Sequence, residues 1–228
     1  MSSSIKESGS FYQRVFSGTR RKAWRCVLIA FGFTWVLMIL VGLWVLWGYE
    51  NTPGQGGTPP LNWPAASRVQ RHSNPFTLIM LVHPHCPCTR ASINELALIM
   101  ARGQGRLTAH LLFLKPDGTE PGWERSDLWE SASTIPGVEV MTDEGGAEAH
   151  LFNAATSGQV LLYDAGGRLV FSGGITGARG HEGDNAGRDA ITSLLISSEA
   201  ERTETVVFGC SLLDENCKQE SERHDHAR

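Results

Sequence analysis

Between Cys26 and Tyr49 the sequence has no charged residue. A run of this length exceeds the ~7–15 apolar residues of a cleaved signal peptide and meets the ~20 needed to cross a bilayer. Beyond residue 25 the chain also lacks a basic excess. Six basic groups (Lys6, Arg14, Arg20, Arg21, Lys22, Arg25) and one acid (Glu7) place +5 ahead of the apolar run; the total is −4, so the remainder carries −9. That balance speaks against nucleic-acid binding by the main body. There is no internal repeat, and so no sign of a solenoid or propeller. The glycine-rich stretch 172–185 is not followed by the lysine and serine that a phosphate-cradling loop needs. Cysteine is scarce, at five residues in 228, yet two of the five fall in a single turn.

The apolar run reads as an uncleaved anchor. Arg20, Arg21, Lys22 and Arg25 precede it, which keeps the N-terminus cytoplasmic, and Trp24, Trp44, Trp47 and Tyr49 mark its two ends. Lys22-Ala23-Trp24 does not continue a twin-arginine signal, and Gly48-Tyr49-Glu50-Asn51 is a poor cleavage site. Five segments follow: a basic cytoplasmic N-terminus over 1–25, a transmembrane helix over 26–49, a Pro/Gly linker over 50–66, a folded domain over 67–200, and a cysteine-containing tail with a charged end over 201–228. The linker reading rests on Pro53, Gly54, Gly56, Gly57, Pro59, Pro60 and Pro64.

Within the domain the elements alternate. Strands are expected over 76–82, 107–114 and 138–141. Helices are expected over 91–102, 123–133 and 147–153. Strands over 160–163 and 169–171 flank Asp164-Ala165-Gly166-Gly167, a hairpin turn signal. An amphipathic helix over 185–200 closes the domain. This order gives an α/β fold, a mixed sheet with helices on both faces.

The chemistry concentrates in His83-Pro84-His85-Cys86-Pro87-Cys88-Thr89-Arg90, between the first strand and the first helix of the domain. Free backbone N–H groups and the helix dipole favour a thiolate at such a helix start. Two thiols and two imidazoles (Cys86, Cys88, His83, His85) also form a ligand set that suits Cu(I) or Zn. Cys210 and Cys217 lie seven residues apart in the tail. Outside the cytoplasm a structural disulfide between them is the default reading; a second dithiol exchanging with the first is the functional one. Cys26, in the apolar run, behaves as a small apolar residue.

Together these features resemble the thioredoxin fold, and more closely the membrane-anchored thiol–disulfide proteins of the bacterial envelope. In those proteins a strand leads into Trp-Cys-x-Pro-Cys-Arg or Trp-Cys-Pro-x-Cys-Arg, then a helix with Glu-Leu. Here Cys86, Pro87, Arg90, Ala91, Glu95 and Leu96 fall in step without a gap, and Leu161-Leu162-Tyr163-Asp164 with Gly167-Arg168-Leu169-Val170 resembles the family's hairpin. The likeness covers roughly residues 76–195. The arrangement is also similar to a small bacterial group labelled RedB. Two departures stand out. Thr89 occupies the place of the second cysteine, with the extra thiol one residue earlier at Cys88. Thr156-Ser157-Gly158 stands where the family has a cis-proline, and serine's strong trans preference argues against a cis bond there.

The resemblance implies extracytoplasmic thiol–disulfide exchange with protein partners. Cys86 is the attacking thiolate in an exposed first helical turn, with Cys88, His85 and Thr89 completing the catalytic group. Thr89 can donate a hydrogen bond to Cys86. A Cys86–Cys88 disulfide is expected to be strained and easily reduced; Cys210 or Cys217 are alternative resolving thiols. The lining is expected from His83, Pro87, Arg90 and Ser157, with Arg179, His181 and Glu182 from the loop 172–185, where Asp184 or Asn185 caps the last helix. No cofactor is needed for exchange. The alternative is copper delivery on a thioredoxin fold, similar to the cytochrome-oxidase assembly proteins, through Cys86, Cys88, His83 and His85; that family's three-residue cysteine spacing is lacking. A third reading is a thiol peroxidase, since Cys86-x-x-Thr89 resembles the glutathione peroxidase turn, although the Gln and Trp partners of that family are not evident.

Overall fold

The computed structural model describes residues 5–71, 74–103 and 105–212, with side chains from residue 24 onward. It divides into two units, Met1–Tyr49 and Glu50–Arg228. The first holds nearly all of α1 (Ile5–Glu50). Within it Trp24–Glu50, 27 residues of mean hydropathy 2.6, is long and apolar enough to cross a membrane. At ~1.5 Å per residue it spans ~40 Å, against a hydrocarbon core of ~30 Å.

The second unit is built on a five-stranded sheet in the order β3-β2-β1-β4-β5. The strands are β1 (Phe76–Val82), β2 (Leu107–Lys115), β3 (Val138–Glu144), β4 (Gln159–Asp164) and β5 (Leu169–Gly173). β1, β2 and β3 run parallel; β4 is antiparallel to β1 and β5 to β4. α2 (Thr89–Arg102) and α3 (Asp127–Ser133) make the first two crossovers, α4 (Ala147–Leu151) precedes β4, and α5 (Ala186–Ser197) follows β5.

β1 is buried along its whole length because both faces of the sheet are covered. Leu78, Met80 and Val82 pack with Ile93, Leu96 and Ile99 of α2 and with Ile191 and Leu195 of α5. Ile79 and Leu81 face the other way, onto Leu161, Tyr163, Ala149 and Phe152, where Trp63 closes the cluster edge-on to Phe152 and Tyr163 at 5.3 and 5.1 Å. Each such fully buried Leu or Ile contributes about 1.5–3 kcal/mol of transfer free energy.

Several element ends differ from the sequence reading. α3 starts at Asp127 rather than at 123, because successive turns at 120–126 (Trp123 N–H to Glu120 O, 3.2 Å; Arg125 N–H to Gly122 O, 2.9 Å) pass through Gly122 at φ 87°. α4 ends at Leu151, and Asn153 adopts a left-handed φ of 48° two residues later. Asn185 caps α5, its side chain accepting from Arg188 N–H at 2.8 Å.

Residues 50–66 lie on the domain rather than apart from it. Leu61 O accepts from Leu169 N–H (2.8 Å), Trp63 N–H donates to Gly167 O (2.8 Å), and Pro60 O accepts from the Tyr163 hydroxyl (3.0 Å). The segment after α5 does likewise. It forms a parallel bridge, Ser172 with Glu204, along β5. Gly173 permits this approach: any Cβ there would collide with Thr205.

Candidate functional site

β1 ends at Val82 against the centre of the sheet, and the chain turns at once. Cys86 N–H donates to His83 O (3.1 Å) and Thr89 N–H to Cys86 O (3.1 Å). Cys88 is the N-cap of α2 and makes no side-chain capping bond. Pro87 suits the entry to a helix, where a missing N–H leaves nothing unpaired. Cys86 therefore stands two residues ahead of the cap. The sequence match had put it in an exposed first turn. Instead it is 1% exposed, because a third thiol and its backbone cover it.

That thiol is Cys210. Beyond Thr205 the chain leaves β5 and crosses to the loop before β4, where Ser157 N–H donates to Cys210 O (2.8 Å), Leu212 N–H donates to Ala155 O (2.9 Å), and Thr156 pairs antiparallel with Ser211. The Cys210 thiol, the Cys88 thiol, the Thr89 hydroxyl and the Cys210 N–H all direct hydrogen bonds to the Cys86 sulfur. The Cys210 thiol is the largest influence, and together they hold Cys86 well below the ordinary thiol range despite its burial. Cys88 and Cys210 move the opposite way, first because each hydrogen-bonds the Cys86 sulfur as a thiol, then through burial and the Cys86 charge. The three thiols therefore titrate as a coupled group, with Cys86 the one favoured to ionise first. Arg179 hydrogen-bonds Cys88 and opposes the upward shift of both outer thiols. It also donates to Gly209 O at 2.7 Å and to Thr52 O at 3.1 Å.

Ser157 supports Cys86 from behind. Its hydroxyl oxygen accepts from His83 N–H at 2.8 Å and lies 2.8 Å from the Thr89 hydroxyl. Either hydroxyl can donate in that contact, and through it Ser157 links the backbone at His83 to Thr89 beside Cys86. No cis peptide occurs among the described residues, so residues 155–157 hold their place by trans backbone pairing. Gly158 turns the loop at φ 86° and donates its N–H to Leu81 O at 2.7 Å.

The remaining expected residues are distributed around this centre. His83 is buried and His85 exposed; both pack edge-on to Trp123, at 5.6 and 4.6 Å between ring centres. His83 Nδ1 accepts the His85 N–H at 3.2 Å. Pro87 and Arg90 are exposed, and Arg90 pairs with Asp127. The loop 172–185 brings Arg179 to the thiols, while His181 and Glu182 are exposed and Glu182 accepts from Asn94 of α2 at 2.7 Å. Among the described residues no group of three or more His, Cys, Asp or Glu is arranged to hold a metal ion. Cys217, and with it a Cys210–Cys217 disulfide, lies outside the described residues. The sequence reading missed Trp123. It offered Cys210, beside Cys217, as an alternative resolving thiol for Cys86, and Cys210 lies next to Cys86; the apolar, glycine-containing Val206-Val207-Phe208-Gly209 is the stretch that carries the chain there.

Glu95 of α2, 1% exposed, accepts from Arg188 (2.8 Å) and from Gly183 N–H (2.6 Å), and Arg188 also bonds Asp184 (2.7 Å). This buried pair ties the loop carrying Arg179 to the helix carrying the cysteines.

No family model and no curated protein matches the chain. Solved structures do. A hypothetical protein from Sinorhizobium meliloti superposes with a TM-score of 0.52 at 21% identity, covering 71% of this chain and 93% of that one. An uncharacterized conserved protein from Geobacillus kaustophilus gives 0.52 at 18% identity, covering 72% and 93%. The exposed lipoprotein thioredoxin of Streptococcus pneumoniae gives 0.40 at 15% identity, covering 54% and 84%. At their identities the first two likenesses speak to fold alone. A central β1 flanked by parallel β2 and antiparallel β4, with a cysteine turn opening the first crossover helix, makes the fold of the second unit thioredoxin-like.

Proposed function

We propose that this protein carries out thiol–disulfide exchange on protein partners, from a membrane anchor and on the extracytoplasmic side. The observation that carries the reading is the convergence of Cys86, Cys88 and Cys210, with Cys86 held as the thiolate by hydrogen bonds from the other two and from Thr89. A thiolate is the attacking form in exchange. Cys86 attacks one sulfur of a partner disulfide, the partner's other sulfur leaves as a thiolate, and a mixed disulfide remains on Cys86. The chain's likeness to envelope thiol–disulfide proteins and to the RedB-like group supports the same reading, as does the basic flank before Trp24.

The test uses the full chain in detergent. Iodoacetamide modifies Cys86 in a phase that persists well below the ordinary thiol range of pH, because the thiolate survives there, and Cys86→Ser abolishes that phase. The protein cycles between reduced and oxidised forms with no metal bound. Stoichiometric copper on the purified protein, with Cys86 inert to disulfide reagents, would replace exchange by copper delivery.

A further inference from the structure

Cys86 is 1% exposed, so no partner disulfide reaches its sulfur while its cover stays in place. The cover is residues 209–212. They are held on the loop before β4 by two backbone hydrogen bonds, Ser157 N–H to Cys210 O and Leu212 N–H to Ala155 O. Leu212, 2% exposed, anchors the far end in the core. Gly209 allows the approach, since any Cβ there would collide with the Ser157 carbonyl oxygen. Residues ahead of the domain sit across the same place: Gly54 N–H donates to Val207 O, and Gln55 O accepts from the Thr156 hydroxyl, each at 2.8 Å. Backbone pairing of this kind is sequence-tolerant, so the edge that holds 209–212 suits any extended peptide.

Resting on the exchange reading of Cys86, we propose that residues 209–212 are a built-in substrate strand: docked on the backbone edge of 155–157, they present Cys210 as the thiol that resolves mixed disulfides at Cys86, and they give way to an extended cysteine-bearing segment of a partner protein that pairs with the same edge.

The chemistry balances. Cys86 thiolate plus a partner disulfide gives the Cys86–partner mixed disulfide and one partner thiolate. Cys210 thiolate then attacks the Cys86 sulfur, forming Cys86–Cys210 and releasing the second partner thiolate; the Cys210 proton ends on a partner sulfur. The partner disulfide is reduced by two electrons and the Cys86, Cys210 pair is oxidised by two. Timing follows from charge. While Cys86 is a thiolate, its hydrogen bond and charge keep Cys210 protonated. Once Cys86 carries the partner, that charge is gone and Cys210 ionises more readily. Cys88 is a poorer resolver, being fixed two residues away at the helix cap.

The experiment oxidises the reduced full chain in detergent with oxidised glutathione, for wild type and Cys88→Ser, and digests it without reduction using trypsin and a protease that cuts before Asp214, which separates Cys210 from Cys217. A Cys86–Cys210 linked peptide is expected in both proteins. A Cys86–Cys88 or Cys210–Cys217 product, or a glutathione adduct persisting on Cys86, overturns the proposal while leaving exchange at Cys86 standing. A Cys86 that never reacts sinks the exchange reading itself. Gly209→Ala tests the docked strand. At about pH 10, where a cysteine is ionised with or without the strand, it is expected to raise Cys86 alkylation by about tenfold or more, since access then follows the open population. An unchanged rate shows that the strand is not the gate.

Discussion

Replacing Cys210 with Ala removes the largest of the influences that favour the Cys86 thiolate, while leaving the Cys210 N–H in place. A hydrogen bond to a charged group is worth about 1.5–3 kcal/mol. At 1.36 kcal/mol per tenfold, its loss raises the Cys86 ionisation midpoint by a factor of roughly ten to a hundred in the acid constant. The assay is the rate of Cys86 alkylation by iodoacetamide from acid to alkaline pH, with the modified peptide quantified. Two features of the curve separate two effects. The midpoint reports ionisation. The plateau reports access and intrinsic nucleophilicity, which grows about threefold for each tenfold weakening of the acid. Cys210→Ala is expected to move the midpoint up and the plateau up together. Thr89→Val, which removes a smaller influence, moves the midpoint less, and Thr89→Ser restores it. A Cys210→Ala midpoint within about threefold of wild type would refute the reasoning, because among the described residues the other thiol at Cys86, Cys88, already holds a contact of its own there.

Other outcomes follow from the same geometry. Glu95→Gln breaks a buried ion pair and is expected to cost about 3–5 kcal/mol, whereas Asp184→Asn, at the exposed end of the network, costs less than about 1 kcal/mol; urea unfolding followed by circular dichroism checks both, and equal small losses would show that the pair does not hold the loop. Stability should depend on pH through the thiols. The lowered Cys86 contributes stability that is present above the ordinary thiol value of about 8.5 and lost as pH falls through its lowered value. The raised Cys88 and Cys210 contribute stability that is present below that value and lost as pH rises through their raised ones. The melting-temperature difference between wild type and Cys86→Ala is therefore expected to shrink towards acid pH; a difference constant across pH would oppose this. For topology, a reporter active only outside the cytoplasm, fused after Arg228, is expected to give signal in a Gram-negative host, and activity from a cytoplasmic reporter would reverse the orientation.

The sequence by itself determined the elements and their order. An apolar run without charge becomes a helix long enough for a membrane, since backbone groups in lipid can be satisfied only within such a helix. Unbroken apolar strands such as 76–82 become central strands covered on both faces, and Asp164-Ala165-Gly166-Gly167 joins β4 to β5, with Gly167 at φ 81°. The cysteine turn between strand and helix was legible for the same reason: local spacing of Cys86, Pro87 and Cys88 fixes a helix start. Only the tertiary structure decided what surrounds Cys86. Cys210 lies 124 positions away in sequence, and nothing in its neighbourhood encodes a partner; the fold brings it to Cys86 because the chain after α5 runs along β5, where Gly173 leaves no side chain in the way, and then pairs with the free backbone of 155–157. The same long-range pairing buries a thiol that its local sequence would leave in solvent, and it brings a third cysteine to a two-cysteine turn.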